Sequence, residues 1–553
     1  MGDIYTGAYE CLEVFAKSLE GKKGNVIVAD KNGNQESYPT GRSHYRLLKI
    51  PLEKESRYDV TLESCEVSVC YLSEREDFIQ EGVCFLEWEQ GSWAVISDLE
   101  KWYKTPGREQ YHFCPYKNWM NDPNGLCWYQ GYYHMYYQAN PHDQKWDQMY
   151  WGHAASRDCV HWVHLPYVLQ PQEELLDSKD GKGGAFSGSA VALEDRIRFY
   201  LTRHIGPSED SEEKTRQYQT MVESADGIHF GEEKLIIEKP NKEFSFNFRD
   251  PKVIWLEGCW QMVIGTRVNN IPSVALYKSG DGVNWNYQGI LLQEKTEGVY
   301  TFECPDFFPL DGDMVVIGAW MFYSDDQRRY QPTYYYIGNY RNGKFEVNQT
   351  GLYDFAGNFY AVQSFEYEGR RIAIGWVSDF YNEHCPEING AYGSMAIPRE
   401  LHIREGKLYQ SPIKEIYQLK GKCFCNVSKQ DIRLKHLNLN SYYANIEFSC
   451  DTDFEILLGK DGDAEIRLVR KEKELRLVTQ GVKSHFVKCV TELERLEKLE
   501  IFVDHRLVEI FANEGEKAGT KLFYHEKDGI FQAHFDTEEC VEAVEIYEMK
   551  GIW

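Results

Sequence analysis

The chain has 553 residues, 42% of them hydrophobic and 27% charged, which excludes a disordered polymer and calls for more than one core. Its formal net charge of −26 excludes a protein that relies on a basic surface to hold a nucleic acid, and weighs mildly against anionic substrates. Neutral small molecules remain compatible. No run of about 18 apolar residues suggests a membrane span, and the first thirty residues lack the apolar stretch of a secretion signal. Fifteen cysteines, an odd count without Cys-x-x-Cys pairs, predict reduced thiols and a cytoplasmic location. Asn348-Gln349-Thr350 and Asn426-Val427-Ser428 match glycosylation acceptors, which a cytoplasmic chain would not present. Met1-Gly2-Asp3-Ile4-Tyr5-Thr6 formally fits a short, permissive myristoylation pattern.

In chain order, residues 1–105 predict a small β-rich accessory domain. Val67, Val69 and Tyr71 alternate with polar residues, and 86–96 reads as a hairpin turning at Gln90-Gly91. From 106 to 408 a hairpin signal recurs. The turns fall at Gln130-Gly131, Glu194-Asp195, Glu257-Gly258, Asp311-Gly312 and Glu368-Gly369, between flanks rich in Tyr, Phe, Trp, Val and Ile. A second motif, Ser-x-Asp-x-x-x-aromatic, recurs at Ser156 to Trp162, Ser224 to Phe230 and Ser279 to Trp285. Its Asp supplies a turn and its aromatic packs between neighbouring sheets. Five hairpins at roughly 55–65 residue spacing predict a five-bladed β-propeller. Residues 409–420, with Pro412, read as a linker. Residues 421–553 carry alternating runs such as Glu465 to Val469 and Leu499 to Val503, which predict a β-sandwich. The fold class is all-β.

Three acids stand just ahead of propeller hairpins: Asp122 in Asn121-Asp122-Pro123, Asp250 in Arg249-Asp250-Pro251, and Glu303 in Glu303-Cys304-Pro305. In a propeller the first strand of each blade lines the axis, so these residues share one end of the channel. Phe186-Ser187-Gly188-Ser189 and Asn358-Phe359-Tyr360 precede the other two hairpins. Converging carboxylates without a metal-binding motif are what cleavage of a glycosidic bond requires, with no cofactor and no metal.

At these motifs the chain resembles the glycoside hydrolase family of invertases, inulinases and levanases, family 32, over about residues 110–550. Trp119-Met120-Asn121-Asp122-Pro123-Asn124-Gly125 is long and specific. Arg249-Asp250-Pro251, Glu303-Cys304, Trp151-Gly152-His153-Ala154, Phe186-Ser187-Gly188-Ser189 and Pro398-Arg399-Glu400-Leu401 follow in the family's order. The resemblance implies a retaining β-fructofuranosidase acting on sucrose or short fructooligosaccharides. Asp122 would be the nucleophile, Glu303 the acid and base, and Asp250 the transition-state stabiliser. Nucleophile and acid would stand about 5–5.5 Å apart. Glu303 would need a pKa above the ordinary value of about 4.3, which burial beside Asp122 would favour.

Asn121, Gln138, Trp146, Phe186, Ser187, Arg249 and Trp376 match the family's fructose-binding positions. Asn358 stands where the family often has Asp, so leaving-group preference does not carry over. Cys304 reads as a small group tuning the site rather than a reacting one. In the tail, Asp504, Glu509 and Asn513 read as structural. Alternatives are a sucrose-6-phosphate hydrolase, a fructosyltransferase and a sugar-binding protein without catalysis. Partners are limited to a small carbohydrate, with neither nucleic acid nor membrane; a homo-oligomer is compatible.

Overall fold

The computed structural model describes residues 2–105, 107–207, 214–238, 243–295, 298–323, 329–330, 332–377, 390–428, 437–481, 489–523 and 530–553. Residue 106, the expected start of the middle region, lies outside them. The chain is all-β, with only short helical turns among the described residues. None of those helices is long and apolar enough to cross a membrane.

The N-terminal strands form two sheets. Gly2–Tyr5, Arg57–Glu63, Asn25–Asp30 and Gln35–Pro39 make one; Arg46–Pro51, Cys11–Ser18, Cys65–Ser73, Cys84–Glu89 and Ser92–Val95 make the other. Ile4, Val14, Val26, Val60, Leu72 and Trp93 fill the space between them. A second set of residues, including Phe15, Tyr71 and Phe85, faces outward and shares a core with Tyr150, Tyr167 and Tyr116 of the following region.

The middle region repeats one unit, an antiparallel four-strand meander. Phe244–Leu256, Cys259–Val268, Ile271–Ser279 and Asn286–Gln293 form one of its sheets in sequence order. Its turns explain themselves locally. Gln130-Gly131, Glu257-Gly258, Asp311-Gly312 and Glu368-Gly369 all take positive φ at both positions, the type I′ geometry that matches strand twist. In the Ser-x-Asp motif, Asp158, Asp226 and Asp281 each accept two backbone N–H bonds through one oxygen, at 2.8–2.9 Å. The aromatic that follows packs on the sheet before it: Trp285 meets Tyr200 edge-on at 5.8 Å, and Phe230 meets Tyr136 at 6.0 Å. The first two meanders join where Gln148 and Met149 pair in parallel with Gly183 and Gly184, so they count as one nine-stranded sheet.

Two six-stranded sheets complete the chain around a core that includes Ile456, Leu468, Ile501 and Ile546. The expected linker begins inside a strand and connects only over its later part. Strand Lys407–Pro412 pairs with Arg399–Arg404, and a single 3-10 turn, Lys414–Leu419, makes the connection. Pro412 sits at the end of an outer strand, where its missing N–H costs no ladder bond. The cysteine expectation also needs correction: Cys450 and Cys540 are disulfide-bonded, with Cα atoms 5.0 Å apart. The other cysteines among the described residues are free.

Buried charges tie the C-terminal sheets to the middle region. Arg399 donates to Asp354 at 3.1 Å, Glu509 at 2.7 Å, Thr520 at 2.6 Å and Gln410 at 2.7 Å. His112 lies between Asp504 at 2.9 Å and Glu509 at 3.1 Å, fully buried. Burial opposes its charge, but the two carboxylates outweigh burial and push its pKa up to about 9. A raised folded-state pKa gives stability that is fully present below pH 6.5 and fades as pH passes 9. The unaltered protein should therefore lose roughly 3 kcal/mol across that window relative to His112→Gln. Urea unfolding midpoints of the two proteins from pH 6 to 9.5 check this; parallel curves would reject it.

Candidate active site

Five strands of the middle region, Asn118–Tyr129, Gly181–Ala192, Phe244–Leu256, Val299–Leu310 and Phe359–Tyr367, share one irregularity. Their antiparallel pairing slips by one residue between Met120 and Pro123, Ala185 and Gly188, Arg249 and Lys252, Glu303 and Asp306, and Tyr360 and Gln363. Each slip is a β-bulge: two residues oppose one, the ladder opens, and side chains are re-aimed. Asp122 and Ser187 are second bulge residues, Asp250 and Cys304 first ones, and Glu303 and Tyr360 directly precede theirs. The acids thus share one level of the structure without occupying equivalent positions. Asp250, Cys304 and Ala361 take φ of 65°, 50° and 54°, a left-handed conformation at the first bulge residue. Pro251 and Pro305 fill second bulge positions, where no N–H is needed for the ladder. After Ser187, only glycine fits: a Cβ on Gly188 would lie 2.0 Å from the Tyr200 carbonyl oxygen.

The bulges bring the three carboxylates together beneath the surface, at 6% exposure for Asp122 and 3% for Asp250 and Glu303. Asp122 accepts from Ser187 Oγ at 2.5 Å, Asn121 Nδ2 at 3.1 Å and Gln138 Nε2 at 3.3 Å. Gln138 also donates to Ser187 at 2.5 Å, and Trp119 Nε1 fixes the Asn121 oxygen at 2.7 Å. Burial raises the Asp122 pKa, Ser187 and Asn121 oppose it, and Glu303 adds to the rise. Asp250 accepts the Cys304 N–H at 2.8 Å. Burial pushes its carboxyl up to about 7; Arg249 works against this, and Asp122 and Glu303 with it. Cys304 Sγ lies 3.5 Å from both Asp122 and Asp250. Burial, then the surrounding carboxylates, hold its pKa well above the ordinary value, so it stays a thiol and a hydrogen-bond donor.

Glu303 receives hydrogen bonds from Arg249 on one oxygen and Tyr360 on the other. Arg249 is held in turn by Asn247 Oδ1 at 2.5 Å and Gln217 Oε1 at 3.4 Å. The second sheet shapes this corner. Thr202 Oγ1 accepts the Asp250 N–H at 3.0 Å, while Gln217 and Gln219 bond the backbone of Phe248 at 2.7 Å each.

Asn121, Gln138, Ser187 and Arg249 therefore all reach the carboxylates. Phe186 and Trp146 meet edge-on at 6.0 Å, half-buried, with Phe186 stacked on His204 at 4.3 Å. Trp376 is fully buried, its ring 5.6 Å from Trp119 and 6.3 Å from Tyr360. Asn358 accepts the Leu522 N–H at 3.1 Å, a contact with the C-terminal sheets. Sequence reasoning missed Tyr360, Thr202, Gln217 and Asn247 as supports. The string Asn358-Phe359-Tyr360 ahead of the fifth hairpin carried a signal for Tyr360; the others carried none.

The comparisons agree with this geometry. Residues 112–412 match the N-terminal domain model of glycosyl hydrolases family 32, and residues 426–548 match its C-terminal model. A sucrose-6-phosphate hydrolase from Zymomonas mobilis is 32% identical over 456 residues, 76% of this chain and 85% of that protein. A raffinose invertase from Escherichia coli is 30% identical over 476 residues, 80% of this chain and 96% of that protein. A solved family 32 glycoside hydrolase from Bifidobacterium adolescentis is 32% identical, with a TM-score of 0.91, and covers 100% of this chain and 99% of its own. With a bulged carboxylate cluster, a β-propeller followed by a β-sandwich, and matches along both, the chain is a glycoside hydrolase and belongs to family 32.

Proposed function

We propose that the protein is a retaining β-fructofuranosidase that releases terminal fructose from sucrose or short fructooligosaccharides. One observation carries this reading: Asp122 and Asp250 meet at the Cys304 thiol, beside Glu303. Asp122 attacks the anomeric carbon of fructose, forming a covalent fructosyl-enzyme as the glycosidic bond breaks. Glu303 gives a proton to the departing oxygen, then takes one from the water that releases fructose. Asp250 accepts hydrogen bonds from fructose hydroxyls as positive charge grows on the ring. Asn121, Gln138, Ser187 and Arg249 orient the sugar, and Trp146 and Phe186 form the apolar wall. Trp376 and Asn358 act behind these residues.

Three buried carboxylates and one guanidinium cannot hold all their charges cheaply, so a proton is shared by the cluster rather than owned by one residue. In the free enzyme Arg249 and Tyr360 favour the Glu303 anion. A sugar hydroxyl that takes over the Arg249 donors frees Glu303 to act as the acid.

For the architecture, we read five blades, dividing the nine-stranded sheet at its short parallel pairing. The N-terminal sheets form a separate domain up to about residue 105, and the boundary before the sandwich falls after Pro412. A second reading, sucrose-6-phosphate hydrolysis, is favoured by the name of the Zymomonas relative. Comparing kcat/KM for sucrose, sucrose-6-phosphate, 1-kestose and inulin separates the two readings.

Asp122→Ala and Glu303→Ala should each slow fructose release from sucrose by more than about 10³-fold with folding intact. Unreduced turnover in Asp122→Ala would end the nucleophile assignment. Asp250→Asn should also lose turnover, but gain stability. The raised pKa of Asp250 means that folding favours its protonated form, so its contribution declines as pH climbs from about 4 to 7. At pH 8 the Asn variant should unfold later than the unaltered protein, by about 2 kcal/mol or more, and at pH 4 the difference should vanish. Thermal unfolding at the two pH values measures this, and an unchanged difference would contradict it.

A further inference from the structure

Two short turns next to the strands of the site are gripped by one segment of the N-terminal sheets. The first turn, 140–147, carries Trp146. It is folded on itself by Asn140, whose amide donates to the Lys145 carbonyl at 2.8 Å and whose oxygen accepts the His142 N–H at 3.1 Å. It also abuts the Asp122 strand: Trp119 N–H donates to the Asp143 carbonyl at 3.1 Å. The second turn, 178–181, is closed by Ser178 Oγ on the Gly181 N–H at 2.9 Å and leads into the strand of Phe186 and Ser187. Gln148 ties the two together by donating to the Gly181 carbonyl at 2.9 Å.

Segment 40–46 spans both. The Tyr45 ring stacks on His142 at 4.5 Å and 14°, with the Lys17 ammonium 4.9 Å from the Tyr45 ring. His142 also meets Phe15 edge-on at 5.4 Å, and Ser68 Oγ lies 3.0 Å from its Nδ1. One residue earlier, His44 Nε2 donates to the Ser178 carbonyl at 2.7 Å. The Tyr45 carbonyl accepts from Tyr150 OH at 3.2 Å, which anchors the segment to the first sheet. The carboxylates near Tyr45 and His44 are Glu66, Asp143 and Asp147 rather than the three acids of the site, so both residues act through the turns they hold.

The depth of the groups sets what these turns can affect. Asp122, Asn121 and Ser187 are buried, whereas Trp146 and Phe186 are half-buried and so reach solvent. A terminal fructosyl unit that reaches Asp122 fills the deep part. The portion of substrate left at the rim is the leaving group. The Trp146–Phe186 pair, the apolar wall of the fructose pocket, therefore stands where that unit meets its leaving group, and its position depends on the turns at His142 and Ser178.

We propose that the N-terminal sheets are a specificity element of the active site: Tyr45 and His44 are positioning residues that set the Trp146–Phe186 rim and so the size of leaving group accepted. The proposal rests on the fructosidase reading and adds a role for residues outside both regions matched by the family models. The test compares 1-kestose, whose leaving group is two sugars, with methyl β-D-fructofuranoside, whose leaving group is methanol.

In Tyr45→Ala the ratio of kcat/KM for 1-kestose to that for the methyl fructoside should fall about tenfold, mainly through KM, because rim contacts bind ground and transition states alike. Tyr45→Phe keeps the stacked ring and should restore the ratio. His44→Ala and Ser68→Ala, smaller deletions on the same grip, should lower it in the same direction and stand in if Tyr45→Ala loses cooperative unfolding. A ratio within twofold of the unaltered protein in all the alanine variants overturns the proposal. No fructose release from either substrate by the unaltered protein would instead overturn the fructosidase reading itself.

Discussion

The one-residue slip that recurs in five strands of the middle region is the constraint on which the site depends. A regular strand would send alternate side chains to opposite faces and leave the axis lined by whatever the pleat dictates. The bulge breaks that alternation, so that Asp122, Ser187, Asp250, Glu303 and Tyr360 converge although they occupy three different positions relative to it. The conformations involved are not free. Non-glycine residues with left-handed φ cost of order 1–3 kcal/mol each, and Asp250, Cys304 and Ala361 all adopt it. The paired residues that flank each break supply what holds them there.

Electrostatics sets the second demand. A lone buried carboxylate would simply take up a proton. Here each has donors matched to it: Ser187, Asn121 and Gln138 for Asp122, the Cys304 N–H for Asp250, and Arg249 with Tyr360 for Glu303. Those donors offset burial only in part, since Asp122 and Asp250 both remain raised. Cys304 fits the gap because a neutral thiol is small and can donate to either acid. A serine there would be a stronger donor and would draw one carboxylate toward full charge.

How much of this was legible in the sequence follows from how local each signal is. The X-Gly turns and the Ser-x-Asp motif were readable because their geometry is satisfied within four to seven residues. The three acids were readable because each abuts such a turn signal. The bulges were not, since a register slip is a property of two strands and leaves no mark on either alone. Arg249 on Glu303, Thr202 under Asp250 and Gln217 behind Arg249 are contacts between sheets, invisible for the same reason. Pro412 was misread as a linker residue because proline at an outer strand and proline in a loop look alike in one dimension.

The support of the site reaches beyond the propeller on two sides, and the C-terminal side shows why the chain needs all its parts. Asp354 accepts from Thr520 Oγ1 at 2.8 Å and from Arg399, and Asn358 N–H donates to the Thr520 carbonyl at 3.2 Å. Strand Lys517–Leu522 of the sandwich thereby holds the residues that lead into the fifth inner strand. Tyr360 follows two residues later and bonds Glu303. Burying Arg399 with Asp354 and Glu509 contributes little net stability as an ion group, but it admits one arrangement only, because a shifted partner would strand a charge away from water. The sandwich carries none of the three acids and still fixes where one of them points.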